Sequence, residues 1–285
     1  MSSTVDLHIH TTASDGSDPV PELAAKIAGS PIRLFSVTDH DTIAGALAME
    51  ELVPEGIHYI RGVEFSCVSP AGKCHILGYS YDPTHPALLA ALEEGSRLRR
   101  EKLERRIAHL RDRWGIELSD GEQQWLRSRK SPGKPHLGKL LADRGLATDR
   151  SAAIKTYLSG VPGRDRIEAG TAIRAIEASG GLAVWAHPLG GEGEVRLTAD
   201  RFEEQLQTLL GYGLQGMECW YSRYCLDEVR FLLDRAQARG LTVTGGSDYH
   251  GTNKKDLKLG QLNAENIPVS GISPIVLGRE EWYNL

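Results

Sequence analysis

The chain has 285 residues, of which 40% are hydrophobic and 25% charged, with a net charge of −5 and four cysteines. That length can bury a large core, as one α/β barrel or two modest domains, and no apolar run approaches the roughly 20 residues that a membrane span needs. Cys67, Cys74, Cys219 and Cys225 have no C-x-x-C spacing and form no dense framework, which excludes a disulfide scaffold and points to a reducing cytoplasm. The start runs directly into Val5-Asp6-Leu7-His8 without a basic then apolar leader, so an unexported protein with no membrane association is expected.

In chain order, β-rich apolar runs predict strands at Thr4–Ile9, Arg33–Thr38, His58–Glu64, Lys73–Tyr79, Leu182–Ala186, Gly216–Cys219 and Leu241–Gly245. Helical patterns fall between several of them, at Val20–Ala28, Thr42–Glu51, Thr171–Ser179, Arg201–Gly211 and Leu226–Arg239. Strands alternating with helices imply parallel pairing and a sheet or barrel whose ligands gather at the carboxyl ends of the strands. From about Pro86 to Arg166 the rhythm changes: Leu88–Leu110 is one long helical pattern, Pro132 and Pro135 break the chain, and Leu137–Arg144 resumes a short helix. Residues 86–166 therefore read as a helical insertion in a barrel formed by residues 1–85 and 167–285. After Leu259 helical period is weak, and an extended tail is expected.

The charges are unevenly placed. From Arg97 to Arg150 there are 15 basic and 8 acidic residues, so this segment carries +7 and the remainder −12. Much of that is a solvated helical face with i,i+4 pairs such as Glu101 with Arg105. Part of it is expected to meet an anion.

Six of the ten histidines stand in short acidic or strand-end motifs. His8 and His10 alternate along a strand, so both project to one face and can chelate one ion. The turn Thr11-Thr12-Ala13-Ser14-Asp15-Gly16 either returns Asp15 to the same mouth or uses it as a turn residue. In Thr38-Asp39-His40, His40 is the better ligand candidate, whereas Asp39 suits a ligand, a carboxylate orienting one, or a helix cap. Glu64 ends a strand, where a carboxylate must be paired or metal-bound, and one bridging carboxylate is what two neighbouring cations require. His75, His187 in Ala186-His187-Pro188, and the pair Asp248 and His250 after two glycines complete the set. Imidazole and carboxylate donors without thiolate suit Mn2+ or Fe2+, with Zn2+ also compatible.

Together these motifs resemble the PHP (polymerase and histidinol phosphatase) family of metal-dependent phosphoesterases, within the amidohydrolase-like superfamily. The resemblance rests on Asp6-Leu7-His8-Ile9-His10, Thr38-Asp39-His40, Gly62-Val63-Glu64, His75, Ala186-His187-Pro188 and Asp248-Tyr249-His250, which cover nearly the whole chain outside the insertion. It implies a distorted seven-stranded β/α barrel with three divalent metal ions at its carboxyl face. By that resemblance His8, His10, Glu64 and Asp248 hold the first ion, Glu64 bridges to a second held by His75 and His187, and Asp15, His40 and His250 take the third.

The insertion, with Arg99-Arg100-Glu101-Lys102 and Lys134-Pro135-His136, further resembles members acting on nucleotides, including those removing the 3′-phosphate of nucleoside 3′,5′-bisphosphates. Arg99, Lys102 and Lys134 are then expected to contact the second phosphate, and His136 either touches the transferred phosphoryl group or only begins the next helix. Leaving-group protonation falls to Asp248, His250 or a water. Two rival readings stand beside this one: a 5′-3′ exonuclease on short RNA or DNA, and a non-catalytic metal-binding nucleotide sensor. Within the enzyme class, histidinol phosphate is a further candidate substrate.

Overall fold

Buried, β-branched and aromatic runs form the strands in a computed structural model that describes residues 4–191 and 195–269. The strands are β1 (Val5–Ile9), β2 (Leu34–Val37), β3 (His58–Ser69), β4 (Gly72–Tyr79), the two-residue β5 (Ile167–Glu168), β6 (Leu182–Ala186), β7 (Gly216–Tyr221) and β8 (Thr242–Gly246). Seven lie side by side in the order β1-β2-β3-β4-β6-β7-β8, and β5 pairs with β3. The last strand returns to the first: Ile9 bridges Tyr249 in parallel, and the His10 N–H donates to the Tyr249 carbonyl at 2.9 Å. The result is the expected distorted seven-stranded α/β barrel.

Pairing is parallel except around β4, which runs antiparallel to both β3 and β6. This corrects the expectation of wholly parallel strands. Only Pro70 and Ala71 separate β3 from β4, and a connection that short permits a hairpin, whereas a parallel pair needs a crossover of a dozen residues or more.

Helices α1 (Val20–Ala28), α2 (Ala44–Glu50), α7 (Ala169–Ala178), α8 (Ala199–Leu210) and α9 (Leu226–Ala238) lie close to their predicted positions. Val5 and Leu7 of β1 share a cluster with Leu77 and Tyr79 of β4 and Val184 and Ala186 of β6, and β1 is a neighbour of neither strand, so these side chains plug the barrel interior. Outside, α1 and α2 cover one flank through Leu23, Ile27 and Met49, while α7, α8 and α9 cover another through Ile173, Phe202 and Leu232.

Between β4 and β5 stand α3 (Pro86–Trp114), α4 (Asp120–Arg127), α5 (Lys134–Asp143) and α6 (Arg150–Tyr157). Pro86 opens α3 and Gly115 closes it in the left-handed region at φ 63°. These helices share a core of their own, built on Leu103, Leu110, Leu126, Leu137, Leu141 and Ala153. The sequence pattern missed α4 and α6. Each has eight residues and buries one of them, Leu126 or Ala153, too little to show a period. Residues 259–269 form neither helix nor strand, and the rest of the expected extended tail lies outside the described residues.

Candidate metal centre

At one mouth of the barrel, all nine sequence-predicted metal ligands converge. β1 delivers His8, His10 follows directly after it, the segment after β2 delivers His40, β3 delivers Glu64 and β4 delivers His75. His187 follows β6, and Asp248 and His250 follow β8. The turn after β1 does return Asp15, whose Oδ1 lies 3.2 Å from His250 Nε2 and 3.7 Å from His10 Nδ1.

Glu64 is the hub. Its Oε2 stands 3.2 Å from His8 Nε2, 3.1 Å from His10 Nε2 and 3.1 Å from His40 Nδ1. Its Oε1 faces His75 Nδ1 at 2.8 Å and His187 Nε2 at 3.2 Å. One carboxylate thus turns an oxygen to each of two imidazole sets, as a bridge must.

Three groups bring their donor atoms within 4.8 Å of one another: His10, Asp15, His40 and His250; His8, His10 and Asp248; and His40, Glu64 and His75. His40 therefore serves two groups rather than the Asp15 side alone, because the chain after β2 runs beside β3 and His40 bridges Glu64. His187 completes the Glu64 Oε1 side, its Nε2 3.2 Å from His75 Nδ1.

The donor atoms are poised for cations. His8 Nε2, His10 Nε2, His40 Nδ1, Glu64 Oε2 and Asp15 Oδ1 are buried without a hydrogen-bond partner. Such atoms carry a desolvation cost that a metal ion offsets. Burial pushes the carboxyls of Glu64, Asp15 and Asp248 up, yet the surrounding imidazoles, and Lys254 beside Asp248, pull all three well below the usual carboxylate range. Burial also holds His40, His75 and His250 below the ordinary imidazole value. His8 and His187 go the other way: burial depresses them, but Glu218, Glu64 and Asp248 together raise His8, and Glu64 leads in raising His187. Anionic carboxylates and neutral imidazoles are the states in which these groups bind metal. The residues present fit the metal ions that the sequence implies.

Partners beyond the donors fix their aim. Asp248 Oδ2 accepts from Tyr221 Oη at 2.9 Å and Lys254 Nζ at 2.6 Å, so Oδ1 is left to face His8, His10 and His250. His250 Nδ1 lies 2.8 Å from the Asp248 carbonyl, which makes it the donor and leaves Nε2 toward Asp15. These contacts speak against Asp248 and His250 as acids for a leaving group: Asp248 is held ionised, and both are turned toward the metal ligands.

Asp39 resolves among its alternatives. It accepts from the Thr11 N–H at 2.8 Å, Thr11 Oγ1 at 2.7 Å and Ser14 Oγ at 2.5 Å. It neither ligates nor caps α2; it buckles the turn that presents Asp15. Asp6, fully buried, likewise ties strands, accepting from the Ser247 N–H at 2.9 Å, Ser247 Oγ at 2.6 Å and the Gly260 N–H at 2.8 Å.

The insertion's basic residues divide. Arg99 gives its Nε to Asp41 and Nη2 to Ser66 Oγ at 2.5 Å, while Nη1 points toward the Gly133 turn before α5. Lys102 corrects the phosphate-contact expectation. Its Nζ donates to the carbonyls of Val161 at 2.5 Å, Pro162 at 3.1 Å and Gly163 at 2.9 Å, so every ammonium proton is engaged in holding that loop. Lys134 makes no ion pair among the described residues. Burial lowers its ammonium, with Arg106, Lys73 and Arg166 adding to the effect. His136 does begin α5, its Nδ1 accepting from the Gly133 N–H at 3.2 Å. Burial lowers it, and Asp15 and the Ser14 backbone act in the opposite sense.

A cavity of about 730 Å³ lies over Asp15, His40, Glu64, His75, His187, Asp248 and His250, walled on the insertion side by Pro135, Arg150, Ser151 and Lys155. A second of about 350 Å³ adjoins it at His75 and His187, with Lys73 and Arg166 on its wall. Sequence reasoning missed Lys73, Arg150, Lys155, Arg166, Tyr221 and Glu218. Of these only Glu218, an acid inside the apolar run Gly216–Cys219, carried a signal, since a carboxylate buried in a strand needs a partner.

No protein-family model matches the chain. It is 28% identical over 271 residues to a 3′,5′-nucleoside bisphosphate phosphatase of Chromobacterium violaceum, covering 93% of each chain. It is 31% identical to a 5′-3′ exoribonuclease of Haemophilus influenzae, over 88% of this chain and 91% of that one. A phosphoribosyl 1,2-cyclic phosphate 1,2-diphosphodiesterase of Eggerthella lenta is 33% identical, over 86% and 94% respectively. Among solved structures, a chain from Bifidobacterium adolescentis described as a metal-dependent phosphoesterase superposes with a TM-score of 0.81 at 26% identity, over 93% of this chain and 94% of that one. An amidohydrolase of Chromobacterium violaceum with bound sulfate gives 0.77 at 28% identity, over 90% of each. A barrel mouth built from imidazoles around one shared carboxylate, and relatives named as a phosphatase, an exoribonuclease and a cyclic-phosphate diphosphodiesterase, lead to one assignment: the chain belongs to the PHP-like metal-dependent phosphoesterases and is a hydrolase.

Proposed function

We propose that this phosphoesterase removes the 3′-phosphate from nucleoside 3′,5′-bisphosphates, releasing a nucleoside 5′-monophosphate and phosphate. The observation that carries the reading is a cluster of cations near His75 whose nearby acid, Asp165, acts on Lys134 and Arg166 but is already paired with Arg106. Lys73, Lys134 and Arg166 make no ion pair among the described residues, and the one hydrogen bond of Arg166 goes to the Cys74 carbonyl at 3.3 Å. Unpaired cations next to metal ligands suit a substrate carrying a second phosphate. Arg99 Nη1 and His136 extend the same edge, and residues 86–166 act as the specificity unit. The relative named as a bisphosphate phosphatase supports the same substrate class.

Bound divalent cations would supply charge neutralisation at phosphorus and ease the deprotonation of water. Imidazole and carboxylate donors without thiolate suit Mn2+ or Fe2+, with Zn2+ also compatible, and Glu64 would be shared between two of three ion positions. The protein's own part is to hold the phosphoryl group over Glu64 while Lys134, Lys73 and Arg166 take the remote phosphate. Asp248 and His250 serve this as positioned donors, and the leaving oxygen takes its proton from water.

A second reading, 5′-3′ exonuclease action on short oligonucleotides, is favoured by the exoribonuclease relative and by the cations Arg150 and Lys155 along the larger cavity, which could follow a backbone. The sensor alternative gives way, since every ligand position is filled in a chain that belongs to a hydrolase family. Incubating Mn2+-loaded protein with adenosine 3′,5′-bisphosphate and, separately, with a 5′-phosphorylated oligonucleotide decides between the two. Free phosphate from the first without mononucleotides from the second is the expected outcome; mononucleotides from the second alone replace it with the exonuclease.

A further inference from the structure

Glu218, outside the ligand set, reaches two ligands assigned to different ions with one side chain. It lies on β7, fully buried, paired with Thr244 of β8. Its Oε1 is 2.9 Å from His8 Nδ1, and its Oε2 accepts from the His187 backbone N–H at 2.7 Å. Glu64 faces both rings from the other side, at 3.2 Å from His8 Nε2 and 3.2 Å from His187 Nε2. The His8 imidazole is thus clamped between two carboxylates, while His187 meets Glu64 with its ring and Glu218 with its backbone.

The two contacts do different work. A carboxylate offers only acceptors, so Nδ1 of His8 keeps its hydrogen and Nε2 presents its lone pair to the centre. His187 sits at φ 30°, a left-handed backbone that a non-glycine residue holds only when its surroundings fix it. The bond from its N–H to Glu218, together with Pro188 after it, supplies that fixing.

We infer that Glu218 is a positioning residue of the metal centre, setting the tautomer of His8 and the backbone of His187 so that ions on either side of Glu64 are placed together. The role rests on the metal centre and not on which phosphate ester is cleaved. A glutamine at the position would be near-isosteric yet bring an NH2 where two donors converge. Either the His187 N–H loses its acceptor, or His8 turns to the other tautomer and caps its own metal-facing nitrogen with hydrogen.

The test is Mn2+ titration of apoprotein, reading free Mn2+ by electron paramagnetic resonance and bound metal by elemental analysis, in wild type, Glu218→Gln and Glu218→Asp. Glu218→Gln is expected to lose roughly 10- to 100-fold in affinity for the ions that use His8 and His187. The ion on the Asp15, His40 and His250 side should be retained, and thermal unfolding in chelator should match wild type. Affinities within twofold of wild type, or a uniform loss at every site, overturn the role. Should both variants fail to fold, 15N-histidine spectra of Zn2+-loaded wild type decide: hydrogen on His8 Nδ1 supports the role, and its absence there sinks it. A wild type that takes up no Mn2+ sinks the metal centre itself, whereas a change of substrate leaves this result untouched.

Discussion

Lys102 and Lys134 are both basic residues of the insertion, and the structure gives them opposite work. Lys102 reaches three carbonyls of one loop, while Lys134 has no ionic partner among the described residues and stands in the field of Arg106, Lys73 and Arg166. Lys102→Ala is therefore expected to cost about 2 kcal/mol of stability in urea unfolding, since charged donors are lost and the loop carbonyls must find water. Lys134→Ala should leave stability within about 0.5 kcal/mol. It should raise KM for a nucleoside bisphosphate by about tenfold while kcat changes little, the pattern of a contact equally strong in ground and transition states. Sequence spacing placed Arg99 and Lys102 on one helix face and stopped there. It could not show that Lys102 lies 5% exposed over the 161–163 loop, because what a helix face meets is decided by chain far along the sequence. Most of the metal ligands were legible for the opposite reason: His8, His40, Glu64 and His187 stand in or just after apolar runs, where an imidazole or carboxylate has no local explanation, whereas Asp15 in its polar turn was readable only beside them.

Strand ends carry the site, and the closest approach between strands sets its geometry. Gly246 at the end of β8 lies so near β1 that a Cβ there would fall 2.2 Å from His8 Cβ and 2.6 Å from its backbone nitrogen. Gly246→Ala must push β1 and β8 apart at the residue that carries His8. The expected result is a loss of about 1–3 kcal/mol in the apoprotein and a fall in bound metal, read by thermal unfolding and elemental analysis of the same samples. Wild-type metal content in that variant would show that the barrel seam is looser than the distances imply. The two glycines before Asp248 were readable as a request for close approach, but not which strand approached. The reversal of β4 was hidden because the strand before it was expected to end at Glu64, leaving eight residues before Lys73, whereas it runs on to Ser69 and leaves only two. Short helices α4 and α6, each with a single buried side chain, left no periodic trace.

Across the whole molecule, uptake of cations is coupled to protons. His8 and His187 are raised above the ordinary imidazole value, so in the metal-free protein they hold protons to higher pH than an unperturbed histidine, while His40, His75 and His250 are depressed and already free of them near neutrality. Metal binding must expel the protons on His8 and His187. Apparent Mn2+ affinity should therefore rise with pH through and above pH 6.5, the ordinary imidazole value, with net proton release at pH 7 measured by calorimetry in buffers of differing ionisation enthalpy. Buffer-independent heats at pH 7 would contradict the raised state of both rings.

The seam between β1 and the segment after β8 has a consequence for how the protein is made. His8 and His10 leave the ribosome some 240 residues before Asp248 and His250, whose oxygens and nitrogens they meet. Until translation passes that point, the early imidazoles have only part of their coordination shell to join, so a nascent chain cannot assemble the complete centre. Full metallation thus waits until synthesis has passed His250.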